Sequence, residues 1–148
     1  MRWVGPGKGF RMIETSLYQT ALRYLGVKEI PGAKHHPWIQ WAFSLTKFPE
    51  PWTDEDAWCS AAMNAWCYDL GLPRSGSAAA ISWLEVGQEI RLDQAVIGED
   101  IIVFAHHVGI YAGPMDDKFI KVLGGIQSNQ VCVKPFEIGL IRGVRRLA

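Results

Sequence analysis

The chain has no excess of either charge: lysine plus arginine number 15 and aspartate plus glutamate 15, for a formal net charge of zero. That removes the electrostatic footprint expected of a nucleic-acid binder. No apolar run approaches the roughly 20 residues that span a bilayer, so a soluble protein is expected. Cysteines number only three, too few and too odd for a disulfide framework, which turns attention to a single reactive thiol. Internal repeats and low-complexity tracts are missing too, which argues against a repeat architecture. The opening stretch, MRWVGPGKGFRM, lacks the apolar core of about 7–15 residues that a secretory signal needs, because Gly5, Pro6, Gly7, Lys8 and Gly9 interrupt it. Synthesis and folding in a cytoplasm are expected, with separate delivery if the protein acts elsewhere. What is present is a 49% hydrophobic composition, 20% charged residues and seven tryptophans in 148 residues. This is the profile of one folded domain with a sizeable core, not of a disordered chain.

Residues 1–12 read as an irregular arm and 13–148 as one domain. The domain divides by composition. Its first part, 13–87, is rich in alanine, leucine and tryptophan at helical spacing, and 98–147 is rich in valine and isoleucine punctuated by glycine. Thr15 or Ser16 caps a helix carrying Leu17, Ala21, Leu22 and Leu25, stopped by Gly26. Pro37 opens a helix over 37–45. Residues 58–70 form the clearest helix, ended by Gly71 and Pro73, and 77–86 a shorter one between Ser77 and Gly87. Strands follow at 100–105, 107–112, 118–123, 130–135 and 140–146. The first is a continuous apolar run of the kind buried on both faces, and glycine turns separate the rest. Helices first and strands after predict an α+β fold with about five antiparallel strands.

The segment DEDAWCSAAMNAW (54–66) places Cys59 near a helix N-terminus. Unpaired N–H groups and the positive end of the helix dipole there favour a thiolate nucleophile. A small buried hydrophobe fits the same position. Cys67 and Cys132 read as packing residues, and eight residues of helix keep Cys59 and Cys67 from pairing. A thiolate needs a base, usually histidine. His35 and His36 read as a solvated loop. His106 and His107 lie between two strands, and strand alternation lets at most one of them face Cys59.

WCSAAMNAW (58–66), GEDIIVFAHHVGIYAG (98–113) and VLGGIQSN (122–129) resemble the small phage-type members of the CHAP/NlpC superfamily, papain-like cysteine hydrolases of peptidoglycan. YLGVKEIPGAKHHPWI (24–39) and SGSAAAISWL (75–84) extend the likeness over roughly 20–147. The resemblance implies helices packed on an antiparallel sheet, with Cys59 as nucleophile and His107, directly before Val-Gly-Ile, as base. It implies an oxyanion site at the backbone N–H of Cys59 or Ser60. The family's orienting polar residue falls at Ile126 here, which cannot hydrogen-bond an imidazole. Gln127 as third member, with Asn129 as the alternative, a backbone carbonyl near Gly124 or Gly125, or a bare dyad remain open.

Asp54, Glu55 and Asp56 form either an acidic rim for the amino groups of stem peptides or a capping cluster with Thr53. Trp58 and Trp52 are candidates for the substrate groove, whereas Trp41, Trp66 and Trp83 fall on helical faces and read as core. No motif suggests a metal, and no cofactor is expected. Arg142, Arg145 and Arg146 suit either an anionic wall or membrane, or a solvated edge strand. The resulting expectation is a monomeric peptidoglycan hydrolase, an amidase or stem-peptide endopeptidase of the phage endolysin kind. It would be made in a host cytoplasm and released to the wall by a holin or a secretion system. An interbacterial toxin with the same chemistry, or a catalytically silent virion or wall-binding module, are the alternatives.

Overall fold

The computed structural model describes residues 16–25, 37–46, 54–127 and 130–148, without the side chains of 39, 40, 54–57, 126, 127 and 130. The arm at 1–12, His35, His36, Trp52, Thr53 and Asn129 therefore lie outside the described residues. Three helices come first: α1 (Leu17–Leu22), α2 (Pro37–Ser44) and α3 (Asp54–Leu70). Ser16 caps α1 through a capping box, its Oγ accepting from Gln19 N at 3.1 Å while its own N–H donates to Gln19 Oε1 at 3.2 Å. The 17-residue α3 ends in a Schellman motif. Leu72 N donates to Cys67 O at 2.9 Å and Gly71 N to Tyr68 O at 3.2 Å, with Gly71 at φ +68°. Residues 77–86, expected as an α-helix, contain instead a six-residue 3-10 helix at Ala80–Glu85.

The strands are β1 (Gln88–Ile90), β2 (Ile101–Val103), β3 (Val108–Pro114), β4 (Phe119–Gln127), β5 (Gln130–Glu137) and β6 (Gly143–Arg146). They form one antiparallel sheet in the order β1-β6-β2-β3-β4-β5. The expected five strands become six because β1 is a three-residue strand, Gln-Glu-Ile, with no apolar alternation to announce it. The meander holds from β2 to β5, after which the chain returns to place β6 between β1 and β2.

That return corrects the edge-strand expectation for Arg142, Arg145 and Arg146, since β6 is paired on both sides. Arg145 donates to Val86 O and Gly87 O at 2.9 Å each. Arg146 grips the buried Asp100 carboxylate with two bonds of 3.1 and 2.8 Å. This carboxylate holds the Arg146 pKa above its ordinary value. Two of the three arginines are thus joints of the fold.

The pleat separates two apolar layers. One contains Ile101, Val103, Val108, Ile110, Leu123 and Val131 and packs against α3 through Trp58, Ala62 and Trp66. The other contains Ile102, Phe104, Tyr111, Ile120, Val122 and Val144 on the opposite face, covered by Ile90, Phe136, Ile138 and Ile141. β2 is buried throughout, in agreement with its continuous apolar sequence. Trp66 and Trp83 are core residues, but Trp41 is 38% exposed, its ring edge-on to Tyr68 at 5.8 Å.

Candidate active site

α3 begins at Asp54, so Cys59 is its sixth residue, one and a half turns in. The expectation of a helix starting near the cysteine is corrected on this point. The unpaired N–H groups belong to the first four residues, and the dipole effect fades within the first turn. Asp54 and Glu55 are at the opening of this helix, with side chains outside the described residues.

The Cys59 side chain points from α3 into the helix-facing layer and is buried. Its sulfur meets the β2–β3 connection: Sγ lies 4.0 Å from the carbonyl oxygen of His106. Burial pushes the thiol up to about 11, opposed by backbone N–H groups of Val108, Ser60 and Cys59 itself that favour the thiolate. Val108 belongs to the strand side of the sulfur, and Ser60 and Cys59 to the helix. Cys67, one face further along α3, is buried among apolar residues and pushed up to about 12, with Arg74 opposing the shift. None of Cys59, Cys67 and Cys132 is in a disulfide.

His107 is adjacent in sequence to both backbone groups that touch the sulfur, yet its ring goes the other way. The imidazole stacks on Phe136 at 4.7 Å and 10°, and lies 6.1 Å from Phe104. Phe104 and Phe136 belong to the layer on the face away from α3. The cause is the pleat: Val108 and Ile110 face α3, so Gly109, Tyr111 and His107 share the other side. This corrects the expectation that His107 is the imidazole facing Cys59. The hydrogen bond from Phe104 N to His107 O at 2.7 Å closes the connection tightly and holds that orientation. His106 is exposed.

Trp58 is 1% exposed, packed beneath Gly125 of β4, where no substrate sugar or peptide can stack on it. That corrects its assignment to a groove. Gln127 ends β4 opposite Gln130. The β4–β5 register shifts between Gly124 and Gln127, so the backbone does depart from regular alternation where the orienting residue was sought. The side chains of Ile126 and Gln127 lie outside the described residues. Among the described residues no cluster of three or more His, Cys, Asp or Glu side chains is placed to hold a metal.

No family model matches this chain, and no curated protein does. Among solved structures it is similar to the P60 domain of an antigen from M. avium paratuberculosis. The two are 21% identical, with 90% of this chain and 91% of that one covered and a TM-score of 0.54. The chain has the fold of a P60 domain. Within that fold, a buried polar hub stands directly behind Cys59. Ser60 Oγ donates to Ser77 O at 2.7 Å and accepts from Trp83 Nε1 at 2.8 Å. Asn64 Nδ2 donates to Ser60 O at 2.9 Å and Ser77 O at 3.2 Å, while its Oδ1 accepts from Gly76 N at 2.8 Å. The hub ties α3 to the 75–83 segment and fixes the backbone that carries the Cys59 and Ser60 N–H groups. Sequence reasoning overlooked it. Its signal was Ser60 and Asn64, two polar residues four apart on an otherwise apolar stretch.

Proposed function

We propose that this chain is a cysteine hydrolase that cleaves amide bonds of bacterial peptidoglycan, as an amidase or stem-peptide endopeptidase. The observation that carries the proposal is the Cys59 sulfur set against the β2–β3 connection that bears His106 and His107, 4.0 Å from His106 O, within a P60-type fold. A backbone N–H on the strand side of the sulfur, that of Val108, favours a thiolate there and is placed to meet an oxyanion once the sulfur has attacked a carbonyl. One such donor is worth about 3 kcal/mol in a transition state. Cys59 attacks the amide carbonyl, protonated His107 donates to the leaving amine, and neutral His107 then activates water to hydrolyse the thioester. For this the 105–107 connection must open, releasing the imidazole from Phe136 and uncovering the sulfur. A phage endolysin, delivered to the wall by a holin, is the role we favour for such an enzyme; an interbacterial toxin would use the same residues.

A second reading rests on a specific observation. A thiol raised to about 11, with its partner imidazole stacked on Phe136, is what a catalytically silent wall-binding module would retain. Digestion of purified sacculi, followed by mass spectrometry of the released fragments, separates the two. The hydrolase releases muropeptides cut at an amide. Cys59→Ala releases none while keeping its melting transition, and His107→Ala falls by about 10²–10⁴-fold, the typical weight of a general acid-base. His106→Ala remains active. Release by Cys59→Ala refutes the proposal, and release lost with His106→Ala but kept with His107→Ala reassigns the base.

A further inference from the structure

On the face of the sheet away from α3, the β2–β3 connection and the segment after β5 enclose a groove of about 500 Å³. Phe104, His106, His107, Phe136, Leu140 and Arg142 line it, and no carboxylate stands among its lining residues. Its walls are apolar: Phe104 and Phe136 stack at 5.0 Å, and Leu140 is 60% exposed at its edge. Its polar side chains are two imidazoles and one guanidinium. Arg142 differs from its two neighbours. Arg145 and Arg146 are committed to Val86, Gly87, Gln94 and Asp100. The Arg142 backbone is anchored by its N–H to Val103 O at 2.8 Å, but its exposed guanidinium has no partner among the described residues.

We infer that this groove binds the terminal carboxylate of a short peptide with aliphatic side chains. A guanidinium presents paired donors that match a carboxylate. The apolar walls accept the aliphatic part, and the volume falls in the range of small-ligand pockets. The charge complementarity selects an anion. The choice of a peptide among carboxylates rests on the function proposed above, because peptidoglycan stems end in free carboxylates on small aliphatic residues. The groove adjoins the turn that covers Cys59, so a peptide seated there would lie against the residues whose opening exposes the sulfur.

The test is a titration of the wild-type chain with acetyl-D-alanyl-D-alanine, its C-terminal amide and octanoate, followed by backbone amide resonances. The expected result is saturable shifts at Phe104, His106 and Leu140 with the dipeptide acid. Binding should be about tenfold weaker for the amide and for Arg142→Gln, as loss of one charge-assisted pair implies. Absence of saturable shifts at millimolar dipeptide, or equal binding of acid and amide, overturns the inference. Octanoate binding as tightly as the dipeptide overturns the peptide assignment in favour of a fatty carboxylate. Failure of this site and failure of the proposed function are distinguishable: dipeptide binding without muropeptide release removes the function and keeps the groove, and release without binding does the reverse.

Discussion

Replacing Ser60 by alanine removes one oxygen atom, yet the geometry makes it an expensive one. Ser60 and Trp83 are both fully buried. Ser60 Oγ is the acceptor for the Trp83 indole N–H at 2.8 Å. Without it that donor loses its partner in a site closed to water, at about 1–3 kcal/mol. The bond from Ser60 Oγ to Ser77 O is lost as well, but Ser77 O keeps Asn64 Nδ2 at 3.2 Å, so this part contributes only about 0.5–1 kcal/mol. The expected total is about 1.5–4 kcal/mol, a large share of the roughly 5–15 kcal/mol that holds a domain folded. For a chain of this size it corresponds to a melting temperature lower by roughly 5–15 °C. Urea denaturation of wild type, Ser60→Ala, Trp83→Phe and the double variant measures it. In the Trp83→Phe background the donor is gone, so Ser60→Ala should cost at least about 1 kcal/mol less than in wild type. A Ser60→Ala penalty within about 0.5 kcal/mol of zero, or strict additivity in the cycle, would refute the reasoning.

The other predictions address the sheet and the thiols. Asp100→Asn should cost about 3 kcal/mol in urea denaturation, because Arg146 loses its charged partner and the new NH2 group faces a donor, Arg146 Nε, where an oxygen accepted; an unchanged midpoint would show the pair to be inert. In Gly125→Ala the new Cβ would stand 2.7 Å from Trp58 Cε3 and 2.9 Å from Ala62 Cβ, wedging α3 off β4. A loss of about 1–3 kcal/mol is expected, and a neutral result would mean that the helix–sheet contact yields freely. Alkaline pH should unfold the protein through its buried thiols. Cys59 and Cys67 are raised from 9.0 to about 11 and about 12, so both are protonated in the folded state while the unfolded chain ionises. Their contribution is complete below about pH 9 and is lost as pH rises through 11–12, up to about 3 kcal/mol from Cys59 and about 4 kcal/mol from Cys67. Stability measured at increasing pH should fall less steeply in Cys67→Ala, and parallel curves would contradict the assignment.

How far the sequence could be read depended on whether a feature was local. The Ser16 cap, the glycine stop of α3, the doubly buried β2 and the glycine-bounded strands follow from spacing within a few residues, and each is found in the structure. β1 was illegible because three residues with two polar side chains carry no period, and it exists only because β6 returns beside it. The arginines at 142, 145 and 146 read as one surface cluster because their partners, Val86, Gly87, Gln94 and Asp100, are remote in sequence. Trp58 was misjudged for the same reason: only the tertiary fold brings Gly125 over its ring. For the candidate site, motif spacing located Cys59 and the 106–108 connection correctly as neighbours but could not orient an imidazole. Orientation depends on which way the first residue of β3 leaves the turn, and that is set by Val108 and Ile110 facing α3.

That orientation decides how a nucleophilic Cys59 would have to work. Ionising a thiol of pKa about 11 in place at pH 7 means working about four units below its pKa, some 5–6 kcal/mol. Opening the connection first lowers that cost only in part, since a thiol returned to 9.0 still needs about 3 kcal/mol to ionise at pH 7. It gives up the Phe104 N to His107 O hydrogen bond, about 1 kcal/mol net, and the stacking of His107 on Phe136, about 0.5–1.5 kcal/mol. Opening also removes the burial that raises the thiol, while the Cys59 and Ser60 N–H groups stay in place on a helix locked by the Ser60–Trp83 hub. The two routes to a thiolate are therefore close, about 4–5 kcal/mol through movement of the 105–107 turn against 5–6 kcal/mol under it. A substrate tips the balance toward the open turn only by binding that form more tightly than the closed one.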